Sequence, residues 1–432
     1  MNTAVALDKT DQSPPVAVAR RAGFYETMVM RTLRKFEHGG LRMELPDGRV
    51  HQMGSPSAEV QAEMRIRSMS FFKRCALYGN IGFGEGYTEG DWETDDIAAV
   101  VSWFITNIAR TPGLKRSSNQ IPLVNLLKMV NRWRHLLRPN SVSMSRRNIA
   151  EHYDLGNDFY SLWLDKTMTY SSARFESDDQ SLEEAQSAKY DALCRKLELK
   201  PGDHVLEIGC GWGGFSSHAA SRYGCRVTAV TISQEQHKFA TERMAKEGLS
   251  DRVEIRLQDY RHITGQFDKI ASIEMLEAVG NDFVDGYFRK CAEVLKPEGL
   301  LGFQVITTPD GNFKQLLKGV DWIQKHIFPG SLLLSIARIN EAVNRSSGLF
   351  MHALDDFGPS YAKTLQLWHE RFNARIDEVR ALGFDERFVR KWNYYLKYCE
   401  AAFETGNISV VQAVYKHPNN AALSRNAISS WS

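Results

Sequence analysis

The chain has 432 residues, of which 43% are hydrophobic and 25% are charged. This length fits two or three domains with ordinary globular cores, and the composition excludes a disordered chain. The 54 lysines and arginines barely exceed the 52 aspartates and glutamates, so the formal net charge of +2 provides no overall positive field for binding a nucleic acid.

The cysteines and the apolar runs exclude further classes. Six cysteines are scattered along the chain without a C-x-x-C spacing, so we predict neither a metal site nor a disulfide framework. No apolar run approaches the ~20 residues that a membrane-spanning helix needs. The first residues carry acids and two adjacent prolines rather than the apolar run of a signal peptide. We therefore expect a cytoplasmic protein that meets membrane lipid only peripherally, on the inner face of the membrane.

The amino-terminal part is expected to contain a tail and a small domain. Residues 1–19 combine proline, serine and charge with little to bury, which predicts a disordered tail. The next segment, 20–127, is expected to form a smaller, mostly helical domain that associates with lipid or membrane. Within it a strand pair is predicted at 41–51, because Pro46-Asp47-Gly48 has the composition of a tight turn. The glycine-rich stretch 78–87 is predicted to be a loop.

A basic segment, 128–148, joins this domain to the rest of the chain. Six lysines and arginines surround Trp133, Leu136 and Leu137, which is the pattern of a basic amphipathic helix. Such a helix could lie on anionic lipid with its tryptophan and leucines in the interface. It could equally be a solvated helix that leads into a linker, and the residues leave both interpretations open.

Residues 149–420 read as an α/β domain, and 421–432 as a frayed tail. The predicted strands lie at 204–208, 226–232, 253–257, 269–273 and 300–306, and the predicted helices between them at 214–222, 234–246 and 283–295. This alternation predicts a parallel, doubly wound, Rossmann-like sheet whose ligands bind at the carboxyl ends of the strands. Helical insertions are expected after the fourth and fifth strands. Helical patterns at 361–403 and a strand-like segment at 408–415 follow.

A glycine-rich loop comes directly after the first of these strands, in Val205-Leu-Glu-Ile-Gly-Cys-Gly-Trp-Gly-Gly214. Glycine permits the tight turn and the close approach of backbone to ligand that a cofactor needs there. Glu207 precedes the first glycine by two residues, which is typical of methyltransferases that bind S-adenosylmethionine rather than of nicotinamide-binding proteins. The second strand ends in Thr231-Ile-Ser-Gln-Glu-Gln236 instead of an acid, and Asp259-Tyr260 ends the third, where the two residues can flank an adenine.

Further motifs carry a resemblance to a known family. They are His152-Tyr-Asp-Leu-Gly-Asn-Asp158, Thr169-Tyr-Ser-Ser-Ala173, Gln258-Asp-Tyr-Arg261, Ile273-Glu-Met-Leu-Glu-Ala-Val-Gly280, Trp322-Ile-Gln-Lys-His-Ile-Phe-Pro329, Phe357-Gly-Pro-Ser-Tyr361 and Trp392-Asn-Tyr-Tyr-Leu396. Through them and the two cofactor motifs, the chain resembles the cyclopropane-fatty-acyl-phospholipid synthase family, which includes the mycolic acid cyclopropane synthases. The resemblance implies a Rossmann-like class I methyltransferase domain and S-adenosylmethionine as cofactor.

By this resemblance, the cofactor contacts four stretches of the chain. The candidate cofactor-binding residues are Tyr170, Ser171, Glu207, Gly209, Cys210, Gly211, Gly213, Thr231, Ile232, Ser233, Gln236, Asp259 and Tyr260.

The resemblance also implies a reaction and its catalytic residues. The π electrons of an unsaturated acyl chain attack the activated methyl group, and removal of a proton from the new methyl group closes a cyclopropane ring. The family uses a bound bicarbonate as the base, held by a Cys, a Glu, a His, a backbone group of an Ile and a Tyr. Here Glu277, Ile306 and Tyr361 match that set, while Ser172 stands at the Cys position and Gln304 at the His position.

The departures from that set leave the product open. Ser172 and Gln304 can still hydrogen-bond an anion, so bicarbonate stays a second expected cofactor. The missing His, and Ala278 where a His often follows the Glu, remove groups that could carry a proton near neutral pH. A cyclopropane fatty acid is the first expected product. A methylene-branched chain, or a methyl-branched chain made with a reductase partner, is the alternative.

We therefore expect a methyltransferase that acts on unsaturated acyl chains of membrane phospholipid at the membrane surface, and a homodimer is compatible with the resemblance. One rival hypothesis is a methyltransferase for a soluble small molecule, because the fold alone does not choose the acceptor. Another is a lipid-binding protein that has lost its chemistry through the changes at Ser172 and Gln304. The aromatic residues of the carboxyl-terminal helices are interpreted as core rather than as an acyl pocket.

Overall fold

The computed structural model describes residues 22–55, 60–111 and 155–420. Two β-sheets organise these residues, one in the amino-terminal part and one in the remainder. The predicted tails at 1–19 and 421–432 and the predicted basic segment at 128–148 lie outside the described residues.

The amino-terminal unit combines a four-stranded sheet of order β2-β1-β3-β4 with helices α1 to α4. Its elements are α1 (Phe24–Leu33), β1 (Gly40–Glu44), β2 (Val50–Gly54), β3 (Val60–Ile66), α2 (Ser70–Tyr78), α3 (Asn80–Thr88), β4 (Trp92–Glu93) and α4 (Ile97–Arg110). Strands β1 and β2 are antiparallel, and the Gly48 amide donates to the Leu45 carbonyl at 2.9 Å in the turn between them. The predicted strand pair is confirmed.

The prediction of a loop at 78–87 was wrong, because this stretch ends α2 and forms most of α3. Its glycines serve close packing between helices rather than chain flexibility. A Cβ on Gly84 would lie 2.6 Å from Cδ1 of Trp322 and 2.7 Å from Cε1 of Tyr394. Glycine costs a helix about 1 kcal/mol relative to alanine, and here the close approach of two aromatic side chains offsets that cost.

The second sheet has seven strands in the order β10-β11-β9-β8-β5-β6-β7. Its strands are β5 (His204–Ile208), β6 (Arg226–Thr231), β7 (Val253–Leu257), β8 (Phe267–Ile273), β9 (Leu295–Thr307), β10 (Phe350–Asp356) and β11 (Ser409–Lys416). Strands β5 to β9 pair with one another in parallel, as predicted. Strand β11 runs antiparallel to both β9 and β10, so the sheet is not parallel throughout.

Helices pack on this sheet and also form the segments that follow its strands. They are α5 (Asn157–Ser161), α6 (Leu182–Lys196), α7 (Gly214–Tyr223), α8 (Gln234–Lys246), α9 (Val284–Val294), α10 (Asp310–Leu316), α11 (Trp322–His326), α12 (Ile336–Ser346), α13 (Gly358–Ala374), α14 (Ile376–Ala381) and α15 (Glu386–Glu404). Helices α10 to α12 form the insertion expected after the fifth strand. No extra insertion follows the fourth strand, β8, because α9 is the crossover helix itself and buries its apolar face.

The amino-terminal unit shares a hydrophobic core with the helices of the carboxyl-terminal part. One cluster of buried side chains joins Met43 and Trp103 of the first unit to Trp163, Trp392 and Tyr394 of the second. The carboxyl ends of the parallel strands therefore face space that both units enclose.

Candidate active site

A cavity of about 1580 Å³ lies at the carboxyl ends of β5, β6, β8 and β9. Pockets for a single small ligand usually measure roughly 300–1,000 Å³, so this cavity has room for two. The sheet and the loops after its strands form one wall. Apolar residues of the amino-terminal unit form another, among them Val29 of α1, Phe71 of α2, and Phe104 and Ile105 of α4.

The loop after β5 turns sharply beside the cavity. Gly209 and Gly211 have φ angles of 83° and 52°, which glycine adopts without strain. The amides of Gly209 and Cys210 donate to the Val230 carbonyl at 3.0 and 3.1 Å and tie the loop to β6. A Cβ on Gly211 would meet nothing within 4 Å, so its backbone faces space that a ligand can enter.

Most of the predicted cofactor-binding residues line this one cavity. They are Tyr170, Ser171, Glu207, Gly209, Cys210, Gly211, Thr231, Ile232, Gln236, Asp259 and Tyr260. Gly213 and Ser233 are not among the lining residues and act as helix caps: Gly213 begins α7, and the Ser233 hydroxyl accepts from the Gln236 amide at the start of α8. Cofactor binding by all of these residues stays a prediction.

Two acids on the cofactor side of the cavity differ in charge. Burial raises the pKa of Glu207 to about 8, against the opposing hydrogen bond that the Ser216 hydroxyl donates. Burial also raises the pKa of Asp259, but Arg261 donates to it from Nε and Nη2, each at 2.9 Å, and brings the net pKa below the usual value. The pKa of Glu207 is therefore raised to the neutral range, whereas that of Asp259 is held low and Asp259 is an anion at pH 7.

The centre of the site is Glu274, the first residue after β8. Its Oε1 accepts hydrogen bonds from the Ser172 amide at 2.9 Å and from Nε2 of Gln304 at 2.7 Å. Its Oε2 accepts one from the Tyr361 hydroxyl at 2.8 Å. These three donors belong to the set that the sequence assigns to a bound bicarbonate. A carboxylate of the chain itself thus occupies the position among these groups where an anion was expected.

The backbone of Glu274 is in a conformation that side chains rarely adopt. Its φ is 49°, and the left-handed region costs a residue with a Cβ roughly 1–2 kcal/mol. Such strain concentrates at functional sites, where the surrounding contacts hold it in place. Here the backbone amide of Glu274 donates to the Gln304 carbonyl at 2.8 Å, and the side chain reaches three donors.

A second glutamate, Glu277, completes the acidic centre. Its Oε1 accepts from the Ile306 amide at 2.6 Å, and its Oε2 has no hydrogen-bond partner among the described groups. Burial and repulsion from Glu274 raise the pKa of Glu277 to about 8. Burial also raises the pKa of Glu274, but Gln304, Lys189 and the other donors oppose that rise. The net pKa of Glu274 is still raised, but it is Glu274, with three hydrogen-bond donors against one for Glu277, whose environment stabilises a carboxylate.

The five predicted catalytic residues take different places in this arrangement. Glu277, Ile306 and Tyr361 line the cavity, whereas Ser172 and Gln304 lie behind Glu274 and are buried. Ser172 contributes its backbone amide, because its hydroxyl donates to the Ala173 carbonyl at 2.8 Å instead.

Sequence reasoning missed Glu274, although the residue stands in a motif that it singled out. The available signal was an acid placed immediately after the fourth parallel strand, at the edge of the sheet where ligands bind.

The structure also bears on metal binding and on membrane spanning. Within the three described ranges, no group of three or more His, Cys, Asp or Glu side chains could hold a metal ion. Among those same residues, no helix is long and apolar enough to cross a bilayer.

Comparison with known proteins finds relatives over most of the chain. The family model described as mycolic acid cyclopropane synthetase matches residues 140–413. Tuberculostearic acid methyltransferase UfaA1 of Mycobacterium tuberculosis is 36% identical over 429 residues, which cover 94% of this chain and 95% of that protein. Cyclopropane-fatty-acyl-phospholipid synthase of Escherichia coli is 41% identical over 356 residues, which cover 82% of this chain and 87% of that protein. The solved structure of mycolic acid cyclopropane synthase CmaA1 with SAH and CTAB is 32% identical, has a TM-score of 0.58, and covers 62% of this chain and 97% of its own.

Proposed function

The chain belongs to the mycolic acid cyclopropane synthetase family and is an S-adenosylmethionine-dependent methyltransferase, and from this premise we propose its reaction. It methylates the double bond of an unsaturated acyl chain of membrane phospholipid, and Glu274 is the base that takes up the released proton. The observation that carries this proposal is the Glu274 carboxylate, held by Ser172, Gln304 and Tyr361 in place of a bound anion.

The cofactor side of the cavity fits S-adenosylmethionine. The backbone at Gly211 faces open space, and Glu207, whose pKa burial raises to about 8, lines the same part of the cavity with Thr231 and Tyr260. Of the thirteen residues named from the sequence, the eleven that line the cavity are the candidates to hold the cofactor. When bound, S-adenosylmethionine supplies an electrophilic methyl group.

Glu274 answers the main physical difficulty of methylating an alkene. Addition of a methyl group to one alkene carbon leaves the neighbouring carbon of the acyl chain positively charged. A cation in an apolar cavity is costly unless a negative group lies close to it. The Glu274 carboxylate provides that charge, then accepts a proton from the new methyl group and becomes a neutral acid. Because the carboxylate is part of the chain, the reaction needs no bicarbonate.

A methylene branch is the product that this site favours. Immediate loss of the proton, with the C–H electron pair bonding to the cationic carbon, closes a ring. If a hydride first moves from the methylated carbon to that neighbour, the same proton loss forms a carbon–carbon double bond to the added carbon. Three hydrogen bonds to Glu274 oppose the rise in its pKa that burial causes, so it is a weaker base than it would be without them, and the hydride shift has time to occur. Reduction to a methyl branch would need a partner reductase.

A cyclopropane is the second candidate product. The 41% identity with the cyclopropane-fatty-acyl-phospholipid synthase of Escherichia coli favours it. The two products arise from the same cation and the same base, so the order of proton loss and hydride shift separates them.

The cavity supports a long acyl chain as the substrate. Its outer wall is apolar and consists of residues from α1, α2 and α4. Lys314 and Lys318 line the cavity and are exposed, which places positive charge at its mouth for a lipid phosphate. In this proposal the enzyme works from the membrane surface and draws one acyl chain into the cavity.

Mass spectrometry of lipids from a host with and without the gene tests the proposal. The expected result is an acyl chain heavier by one CH₂ group that takes up hydrogen on catalytic hydrogenation. A gain that resists hydrogenation would establish the ring instead. No gain in either host, or an unchanged gain with Glu274→Gln, would overturn the proposed function.

A further inference from the structure

A series of buried hydrogen bonds connects Glu274 to Lys196 through the side chains of two glutamines. Gln304, whose Nε2 donates to Glu274, accepts with its Oε1 from Nε2 of Gln412 at 3.2 Å. The two glutamines are paired across β9 and β11 and are 1% and 0% exposed. Gln412 in turn accepts with its Oε1 from Nζ of Lys196 at 2.8 Å.

The direction of each hydrogen bond in this chain matters, because an amide has a donor end and an acceptor end of nearly the same shape. If Gln304 were turned over, its Oε1 would face the Glu274 carboxylate and repel it. An ammonium group can only donate, so Lys196 requires the oxygen of Gln412. The Nε2 of Gln412 must then point the other way, towards Gln304 and towards the Lys189 carbonyl at 3.1 Å.

Lys196 is itself fixed by an ion pair. Its Nζ lies 2.7 Å from Oδ2 of Asp355, which also accepts a hydrogen bond from Arg174. The lysine is 8% exposed, so it cannot turn to solvent without leaving Asp355 and Gln412. One end of the hydrogen-bond chain is thereby anchored on α6.

We propose that Lys196 and Gln412 are positioning residues that set the orientation of the Gln304 amide and so keep Glu274 in its ionised form. This rests on the proposed role of Glu274 as the base and extends it to two residues outside the cavity. Lys196 determines the orientation of the Gln412 amide, and Gln412 in turn determines that of the Gln304 amide. Gln304 then presents its Nε2 donor to Glu274.

The test is the dependence of kcat on pH in Gln412→Glu and Gln412→Met. A glutamate at 412 presents an oxygen to Gln304 and favours the turned-over amide. Methionine removes the donor to Oε1 of Gln304 and leaves the amide held only through its Nε2, which donates to Glu274 and to the Ser172 carbonyl at 3.3 Å. We expect the acid limb of the profile to move upward by about one pH unit, so that kcat at a fixed pH on that limb falls by about tenfold, since the ionised Glu274 loses a donor. Lys196→Met should shift the limb in the same direction, and Lys196→Arg, which keeps a donor, should not.

The other charged or titratable groups near this chain of residues stay in place in every variant. They are Lys189 on α6, Glu277 after β8 and Tyr361 on α13 around Glu274, and Asp355, Arg174 and Arg195 around Lys196.

Tyr415→Phe is the matched control for a merely structural effect. Tyr415 lies on β11, is 0% exposed, and its hydroxyl donates to Oδ1 of Asn340 at 2.7 Å. This variant loses one buried hydrogen bond from the same strand and should keep the wild-type acid limb. Melting temperatures identify any Gln412 variant that does not fold. In that case, the acid limb of Lys196→Met compared with that of Lys196→Arg tests the positioning role.

Failure of this proposal and failure of the proposed function give different results. If Glu274→Gln is inactive while the folded Gln412 and Lys196 variants keep the wild-type acid limb, the positioning role is overturned and the base stands. If Glu274→Gln is as active as the wild type, both are overturned.

Discussion

The amino-terminal unit and the seven-stranded sheet enclose the same cavity but contribute different chemistry to it. Strands β5, β8 and β9 bring Glu207, Glu274 and the Ile306 amide, whereas α1, α2 and α4 bring apolar side chains. The family model covers 140–413 and excludes the amino-terminal unit. The comparison suggests that the sheet determines how the reaction proceeds and the helices determine which chain can reach it. Variants on the sheet side should therefore change turnover, and variants on the helix side should change the choice of substrate.

The largest effect is expected from Glu274→Gly on the chemical side. Loss of a general base lowers turnover by about 10²- to 10⁴-fold. Added bicarbonate should restore part of it, because the Ser172 amide, Gln304 and Tyr361 remain as donors for an anion. Methyl transfer from labelled S-adenosylmethionine, with and without bicarbonate, measures both quantities.

Glu274→Gln is the control for that rescue. Its amide fills the space that the carboxylate left, so bicarbonate should not restore its activity. Wild-type turnover that required added bicarbonate would contradict the role of Glu274.

The pH dependence of the wild type also tests the role of Glu274 on the sheet side of the cavity. The base must be ionised, and burial raises the pKa of Glu274 above the ordinary value of a glutamate side chain. Activity should therefore be present above that raised pKa and fall about tenfold per pH unit below it. Turnover measured against pH locates the limb, and circular dichroism at each pH shows whether the protein stays folded. A limb at or below pH 4.5 would show that Glu274 does not control the rate.

On the other side of the cavity, Ile105→Trp should alter the choice of substrate. The larger side chain would occupy part of the apolar wall that α4 contributes. We expect kcat/KM for the longer of two acyl chains to fall by roughly tenfold relative to the shorter, which is the usual discrimination for a change in pocket size. Competition between two phospholipids in one assay measures the ratio.

Thr106→Trp is the matched control, because Thr106 is the next residue on α4 and does not line the cavity. Equal effects of the two variants on the ratio would mean that α4 acts through stability and not as a wall.

Smaller effects are expected at the mouth of the cavity. Lys314→Glu and Lys318→Glu should each weaken activity on anionic vesicles by about fivefold, since a basic residue near such a surface contributes about 1 kcal/mol. The loss should shrink in high salt, because salt screens exposed charges. Lys246→Glu, at an exposed position on α8 that does not line the cavity, serves as the control. Equal losses of activity in all three variants would show that Lys314 and Lys318 have no specific role in binding anionic lipid.

The smallest expected effect is on stability. Glu274→Gly and Glu274→Ala both remove the carboxylate, but only glycine relieves the backbone strain at φ 49°. The glycine variant should therefore be more stable than the alanine variant by about 1 kcal/mol. Denaturant unfolding of both proteins measures the difference, and an alanine variant of equal stability would argue against strain at this residue.

The sequence predicted the parallel strands well, because strands buried on both faces give nearly continuous apolar runs such as 300–306. It also placed most candidate cofactor residues at one edge of the sheet, since strand ends and glycine loops are local features. Glu274 escaped this reasoning because its positive φ and its three donors depend on Ser172, Gln304 and Tyr361, which are distant in the chain. The helical state of 78–87 escaped it for a similar reason, because Trp322 and Tyr394 are also distant.

The contact at Gly84 has a consequence for any shortened version of the protein. The indole of Trp322 and the phenol ring of Tyr394 rest directly on the backbone of α3. A fragment that starts after α4 would expose both rings to water and present them to neighbouring molecules. Such a fragment should precipitate more readily than the whole chain, even though it keeps all of the residues assigned to catalysis.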